Sequence, residues 1–442
     1  MAKKIPTTVF GRATSLLSSA TKIVGREIAS TLSDKLKERP ELQKMQTRIK
    51  QAQDLVDSLS HLKGAAMKVG QLLSMEMSDL LPPEVVEVLR TLHDNATFLP
   101  STEIIKILRR ELGPERLRDI ENLSPEPIAS ASIGQVHRAR LHGKEVVLKV
   151  QYPGVAESID TDIAMLKKLI NSVLVVRGRK ISFDSVFAEL AEGLKIETDY
   201  EQEARAIKKY QSVFTDYPQY IIPKVVDGYS TKRVLTLSYE DGEKLNDWIK
   251  RPWGENTKSL FAGRVLDLLL HEFFTFGVVQ TDPNYGNFLV RDQGDKLVLL
   301  DFGAVREYPQ KFRNDLHALL VCAIDGDRES LSRKAMELGF LDERESPKTK
   351  ELFFVLMELI ASMFKEENQP FAFADEGYLK NIRATSMEFA NQVQFTSPAH
   401  QIIFLNRKLG GMYHLLKDAN CSVDLSRYWK SLERSNVPSN PI

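Results

Sequence analysis

Asp282 and Asn287 stand five positions apart in Thr281-Asp282-Pro283-Asn284-Tyr285-Gly286-Asn287, and an Asp301-Phe302-Gly303 opens fourteen residues after Asn287. A carboxylate and an amide at D-x-x-x-x-N spacing are what a phosphotransfer catalytic loop needs. Asp282 would orient an attacking hydroxyl or water, while Asn287 and Asp301 would hold Mg²⁺ against nucleotide phosphates. The same residue types favour turns, so 282–287 alone also reads as a plain turn; the Asp-Phe-Gly that follows a short strand pair selects the chemical reading. Lys149 ends the apolar run Val146-Val147-Leu148, where such a site places the lysine that grips the α- and β-phosphates. Taken alone it reads as a solubilising edge-strand residue. Its ammonium needs a carboxylate to fix it, and the acid-rich stretch 197–204 offers several on adjacent turns. Glu203 is the partner chosen, against the alternative that the stretch is simply a solvated helix face. The ligand these residues imply is ATP or ADP with Mg²⁺.

Elements that could carry these groups are legible from periodicity. Gln135-Val136-His137-Arg138-Ala139 and Glu145-Val146-Val147-Leu148-Lys149-Val150 flank a turn at 141–144 and predict a hairpin. Helices are expected over 159–174 and, as one element, 184–214, then strands at 220–226 and 233–239. Residues 240–243 read as a hinge. Beyond them the pattern is helical, at 311–324, 329–337, 350–364, 386–393 and 402–417, apart from short strands at 288–290 and 297–300. Ahead of Lys149, where a kinase has G-x-G-x-x-G to let backbone approach phosphate, stands the small-residue loop 127–135, containing Ala129, Ser130, Ala131 and Ser132. No A-P-E follows Asp301-Phe302-Gly303, so the usual peptide-docking segment is missing.

The 442 residues are 43% hydrophobic, with 60 basic and 60 acidic side chains, which fits a soluble globular protein with two or three cores. Zero net charge and the lack of a basic, aromatic-interleaved run argue against nucleic acid. Two cysteines build neither a disulfide framework nor a thiolate metal site, and the eight histidines show no zinc-ligand spacing. No apolar run reaches the ~20 residues of a membrane span. Residues 10–113 read as helical throughout. Leu17, Ala20, Val24, Ile28 and Leu32 form one apolar face, either packed on the rest of the protein or laid on a membrane with Lys22 and Arg26 towards headgroups.

Lys68-Val69-Gly70-Gln71, Ala129-Ser130-Ala131-Ser132, Glu197-Thr198-Asp199 and Asp301-Phe302-Gly303 occur in this order and together resemble the UbiB/AarF family of atypical protein-kinase-like proteins: its K-x-G-Q, alanine-rich loop, E-x-D and D-F-G. The resemblance covers nearly the whole chain. It implies an α+β fold of bilobal protein-kinase-like form, with an N-terminal helical extension (1–113), a mixed N-lobe with inserted helices (114–240) and a mainly helical C-lobe (241–442). By the same resemblance Lys149 and Asp282 serve catalysis, Glu203 pairs with Lys149, and Asn287 and Asp301 hold the metal. Ala129, Ser130, Ala131 and Ser132 cover the nucleotide, while Lys68 and Gln71 face Glu197 and Asp199 and exclude peptides. The implied activity is ATPase or phosphotransfer to a non-peptide acceptor in isoprenoid-quinone or lipid metabolism. Alternatives are a non-catalytic nucleotide-gated lipid- or protein-binding module and a small-molecule alcohol kinase. The implied partners are a lipid or isoprenoid-like ligand, biosynthetic enzymes and peripheral membrane contact. Ile5-Pro6 and Gly11-Arg12 resemble the family's domain start, which points to a bacterial cytoplasmic protein, peripheral at the inner membrane face, without a transit peptide. Two departures touch loop conformation: Asn284-Tyr285 where many relatives have His-Pro, and Ser130 where the loop usually has Ala.

Overall fold

The computed structural model describes residues 98–131, 133–176, 184–396, 400–426 and 428. The expected helix over 10–36, Lys68 and Gln71 of the K-x-G-Q, and Ser132 lie outside the described residues. Two compact units are present. One comprises the described residues up to Leu117 with those of Asn122–Arg138 and Lys149–Thr198, the other Arg118–Glu121, Ala139–Leu148 and the described residues from Asp199 on.

In the first unit, helix α1 (Ser101–Arg118) buries Ile104, Ile107, Leu108 and Leu112, an amphipathic stripe at helical spacing. It bends at Gly113, whose φ of 82° lies in the left-handed region, and Pro114 then restarts it where a missing N–H costs nothing. After β1 (Ile120–Glu121), the expected small-residue loop proves to be partly a strand. β2 (Ala129–Ala131) runs antiparallel to the start of β3 (Gly134–Leu141), with Ala129 opposite Val136, so its backbone groups find ladder partners rather than water. β3 and β4 (Lys144–Gln151) form the expected hairpin; His142 and Gly143 between them have φ of 49° and 75°, the double left-handed geometry of a type I′ turn. Val146, Leu148 and Val150 point to the core and leave Lys149 on the opposite face of β4. α2 (Val155–Val176) and α3 (Asp184–Glu197) complete this unit, whereas β1 and residues Ala139–Leu148 of the hairpin are counted with the second.

A buried polar knot ties α1 to this hairpin. The Gln135 amide accepts from the Leu99 N–H (2.8 Å) and donates to the Leu99 carbonyl (3.1 Å), as a strand neighbour would. It also stands 2.7 Å from His137 Nε2, while His137 Nδ1 is 2.8 Å from the Ser124 carbonyl. The imidazole must therefore be neutral, donating from Nδ1 and accepting at Nε2. Burial lowers its pKa from the model-peptide value of 6.5, with the Ser124 carbonyl opposing. In the folded state the proton is refused, whereas the unfolded chain takes it up below about pH 6.5. Stability is thus present above that pH and falls below it. Comparing melts at pH 7.5 and 5.5, His137→Gln is expected to weaken the acid-induced drop; an undiminished drop would remove His137 as its source.

The second unit begins with a correction. Residues 184–214 are not one helix but α3 and α4 (Tyr200–Val213), because the Asp199 side chain takes the Glu201 N–H at 3.0 Å and caps a new start. The strand expected at 220–226 shortens to β5 (Tyr220–Ile221), and β6 (Val234–Ser238) lies close to expectation. One sheet takes the order β1-β3-β4-β6, with β2 added to β3. β7 (Glu243–Lys244) follows at the presumed hinge, then α5 (Leu245–Trp248), α6 (Glu255–Leu270) and a π-helical turn His271–Phe276. The expectation of only two strands beyond this point fails. β8 (Val278–Gln280) pairs with β11 (Val305–Glu307), β9 (Phe288–Arg291) pairs with β7 and β10 (Lys296–Leu299), and β12 (Phe371–Ala372) pairs with β13 (Ser422–Val423). Such two- to four-residue strands are too short to show a period of their own.

The C-terminal helices are α7 (Gln310–Asp325), α8 (Arg328–Glu337), α9 (Pro347–Ser362), α10 (Glu376–Gln392) and α11 (His400–Asp418). They form where periodicity placed them, except that α10 starts ten residues earlier than the expected 386. Leu316, Leu319, Leu331, Ala335, Phe353 and Met357 build their shared core. No described helix is long and apolar enough to cross a membrane.

Candidate functional site

Two strand pairs bring the chemical residues of the second unit together. In the β8–β11 ladder Gln280 faces Val305, and Thr281 continues the pairing with its N–H 3.0 Å and its hydroxyl 2.7 Å from the Ala304 carbonyl. The loop after β8 therefore starts beside the segment after Asp301-Phe302-Gly303. In the β9–β10 hairpin Phe288 faces Leu299, and the Leu300 N–H donates to the Asn287 carbonyl at 2.9 Å. Asn287 and Asp301 consequently line one small cavity, together with Glu272, Gln280, Phe302 and Lys408.

Within the loop, Asn287 Nδ2 donates to Asp282 Oδ2 at 3.2 Å and to the Asp282 carbonyl at 3.3 Å, leaving the Asn287 amide oxygen as the group with ligand character. Asp282 Oδ1 accepts from Arg407 Nη2 at 3.0 Å. Asn284 Oδ1 takes the Gly286 N–H at 2.9 Å and closes the short 3₁₀ turn Tyr285–Asn287. That Asx turn gives the departure at Asn284 a local structural role.

Asp301 Oδ1 accepts the Gly303 N–H at 2.9 Å, which orients its carboxylate. Phe302 is buried, its ring 4.9 Å edge-on from Tyr210 and its N–H 3.4 Å from Glu203 Oε1. Glu203 and Tyr210 lie seven residues apart on α4 and share a face, so this helix grips the Asp-Phe-Gly segment at two points. The Tyr210 hydroxyl donates to Glu272 Oε1 at 2.9 Å, and Lys408 Nζ stands 2.9 Å from Glu272 Oε2 with both side chains at most 1% exposed. Burial pushes the Glu272 carboxyl above the usual carboxylate range, opposed by Lys408, Tyr210 and the Gln280 N–H. Burial and the neighbouring Glu272 charge likewise push the Tyr210 phenol up. The π-helical turn delivers Glu272 inward and ends at Gly277, φ 67°, where a Cβ would meet the Arg313 guanidinium and the Tyr308 carbonyl at 2.9 Å.

Of the residues singled out in the sequence, the second unit brings Glu203, Asp282, Asn287 and Asp301 together through these contacts, and Asp199 serves as the cap of α4. Lys149, Ala129, Ser130, Ala131 and Glu197 belong to the first unit, on β4, on β2 and at the end of α3. Tyr210, Glu272, Arg407 and Lys408 escaped the sequence reading. Glu272 and Lys408 did carry a signal, since each interrupts an apolar helix face.

Among the described residues no group of three or more His, Cys, Asp or Glu side chains could hold a metal by itself. One carboxylate and one amide oxygen fit a magnesium ion that takes its remaining ligands from phosphate and water. Their hard oxygen chemistry does not suit zinc.

A loop presenting Asp282 and Asn287 between two short strands, with an Asp-Phe-Gly gripped by the helix that carries Glu203, defines a protein-kinase-like protein. The model of the ABC1 atypical kinase-like domain matches residues 91–335, and the chain belongs to this family. The atypical kinase COQ8, mitochondrial, of Saccharomyces cerevisiae is 32% identical over 86% of this chain and 75% of its own length. The atypical kinase coq-8, mitochondrial, of Caenorhabditis elegans is 32% identical over 87% of the chain, which spans about half (51%) of that longer relative. Among solved structures, a Mycobacterium tuberculosis protein in complex with erythromycin, Rv3197, shares the fold with a TM-score of 0.61 and 24% identity, covering 91% of this chain and all of that one (100%).

Proposed function

We propose that the protein binds Mg²⁺-nucleotide and acts as an ATPase or as a phosphotransferase towards a non-peptide acceptor, in support of isoprenoid-quinone or lipid metabolism. The observation that carries this reading is the joining of Asp282 to Asn287 at 3.2 Å, with Asn287 and Asp301 on one cavity. Asn287 and Asp301 hold the magnesium ion, which supplies charge neutralisation on the transferred phosphoryl group. Asp282 orients the attacking hydroxyl or water and accepts its proton. Lys149 binds the nucleotide phosphates, and Glu203 keeps α4 on the Phe302 backbone. The lipid context, peripheral membrane contact and biosynthetic-enzyme partners rest on family membership.

A fluorescent ADP analogue titrated with and without Mg²⁺ tests the reading. Binding is expected to require the metal, and Asn287→Ala is expected to weaken the metal-dependent part roughly tenfold or more, the effect of losing one positioned electrostatic ligand. Metal-independent binding, unchanged in Asn287→Ala, would overturn it. Phosphate release measured with and without lipid vesicles separates ATPase activity stimulated by a membrane from transfer to a soluble acceptor.

A further inference from the structure

Helix α11 lies beyond the residues 91–335 that the family model matches, yet it touches the catalytic loop along one side. Arg407 Nη2 stands 3.0 Å from Asp282 Oδ1, with the two side chains only 18% and 12% exposed. One turn later, at Gly411, a Cβ would collide with the Pro283 ring. At the end of the helix Asp418 Oδ2 accepts from the Tyr285 hydroxyl at 2.9 Å. Three residues of the loop, Asp282, Pro283 and Tyr285, thus each have a counterpart on α11.

From this geometry we propose that α11 belongs to the reaction machinery and that Arg407 is the positioning residue of Asp282. The inference rests on the proposed phosphotransfer role of Asp282. A carboxylate held through one oxygen still rotates about its side-chain bond; here Asn287 holds Oδ2 and Arg407 holds Oδ1, so the plane facing the acceptor is fixed. Arg407 and Gly411 share a helix face at i, i+4 spacing. The glycine lets the helix axis come close enough to Pro283 for the guanidinium to reach the carboxylate. A guanidinium suits this task because it is planar and permanently charged.

The test is MgATP turnover by the full chain. Arg407→Gln is expected to lower kcat about 10²-fold, the scale of a small misplacement of a reacting group, while the KM for MgATP stays within about threefold. Arg407→Lys, which keeps the charge but loses the planar fork, should recover about a tenth of the wild-type kcat. Introduced into Asp282→Asn, Arg407→Gln should cost no more than about twofold, since residues acting as one unit are not additive. Gly411→Ala is expected to lower kcat about tenfold, although Ala is the better helix former, which assigns the loss to the Pro283 contact. An Arg407→Gln effect of equal size with and without Asp282, or one confined to KM, would overturn the proposal.

Should Asp282→Asn turn over MgATP like the wild type, the phosphotransfer reading fails. Melting temperatures of wild type, Arg407→Gln, Asp282→Asn and the double variant then decide the contact itself. Non-additive losses place Arg407 on Asp282, and additive ones remove it.

Discussion

Asp301→Asn is expected to lower MgATP turnover about 10²–10³-fold, the cost of removing one preorganised charge-stabilising group. The substitution is isosteric. Its amide oxygen can still take the Gly303 N–H now 2.9 Å from Asp301 Oδ1, so the turn and the burial of Phe302 should survive and the melting temperature should shift little. What disappears is the negative charge that a hard cation needs when only one carboxylate and one amide oxygen are offered. The Mg²⁺ concentration for half-maximal activity should therefore rise along with the loss of kcat. Metal titrations of wild type and variant, with circular dichroism melts as control, provide the comparison. Wild-type turnover in Asp301→Asn would end the assignment of this segment as the metal side of the site.

The largest effect on stability is expected at Lys408. Its ammonium and the Glu272 carboxylate are both enclosed, and Lys408→Met would strand a buried charge at a cost of about 3–5 kcal/mol. The double variant Glu272→Gln/Lys408→Met removes both charges while keeping the volume, and most of that stability should return. Tyr210→Phe, which deletes the hydroxyl that donates to Glu272 Oε1, should cost about 1.5–3 kcal/mol as the loss of a hydrogen bond to a charged group. The sign of the pH dependence follows from Glu272. Without Lys408 its folded-state pKa, already raised by burial, rises further, so the folded protein keeps a proton that the unfolded chain releases. Lys408→Met should then be least impaired at low pH and lose stability as pH rises through the raised value. Equal instability of single and double variants would show that the pair acts through packing, not charge.

These two outcomes bear on different layers of what the sequence discloses. Asp282, Asn287 and Asp301 could be named from spacing because the chemistry demands particular groups a few residues either side of short strands. Lys149 could be named because it ends the apolar run Val146-Val147-Leu148, where such a site places its phosphate-gripping lysine. The β3–β4 hairpin was equally legible, its turn written in His142-Gly143. The break between α3 and α4 was missed because an Asp within an acidic run reads as helix surface; only the Glu201 N–H at its Oδ1 reveals a cap. The strands β8 and β11 were missed because three residues carry no periodicity, although their pairing sets the loop 282–287 beside the Asp-Phe-Gly.

By itself, then, the sequence determined the chemical groups, the local elements that carry them and the family to which they belong, since each depends on residues near one another in the chain. The partners of those groups were decided only by tertiary structure. Arg407 looks like the polar side of an ordinary amphipathic helix, and Lys408, although it interrupts the apolar face, carries no local sign of the buried glutamate it meets on a distant π-helical turn. Burial is a property of what packs on top, and long-range packing leaves no local period to read.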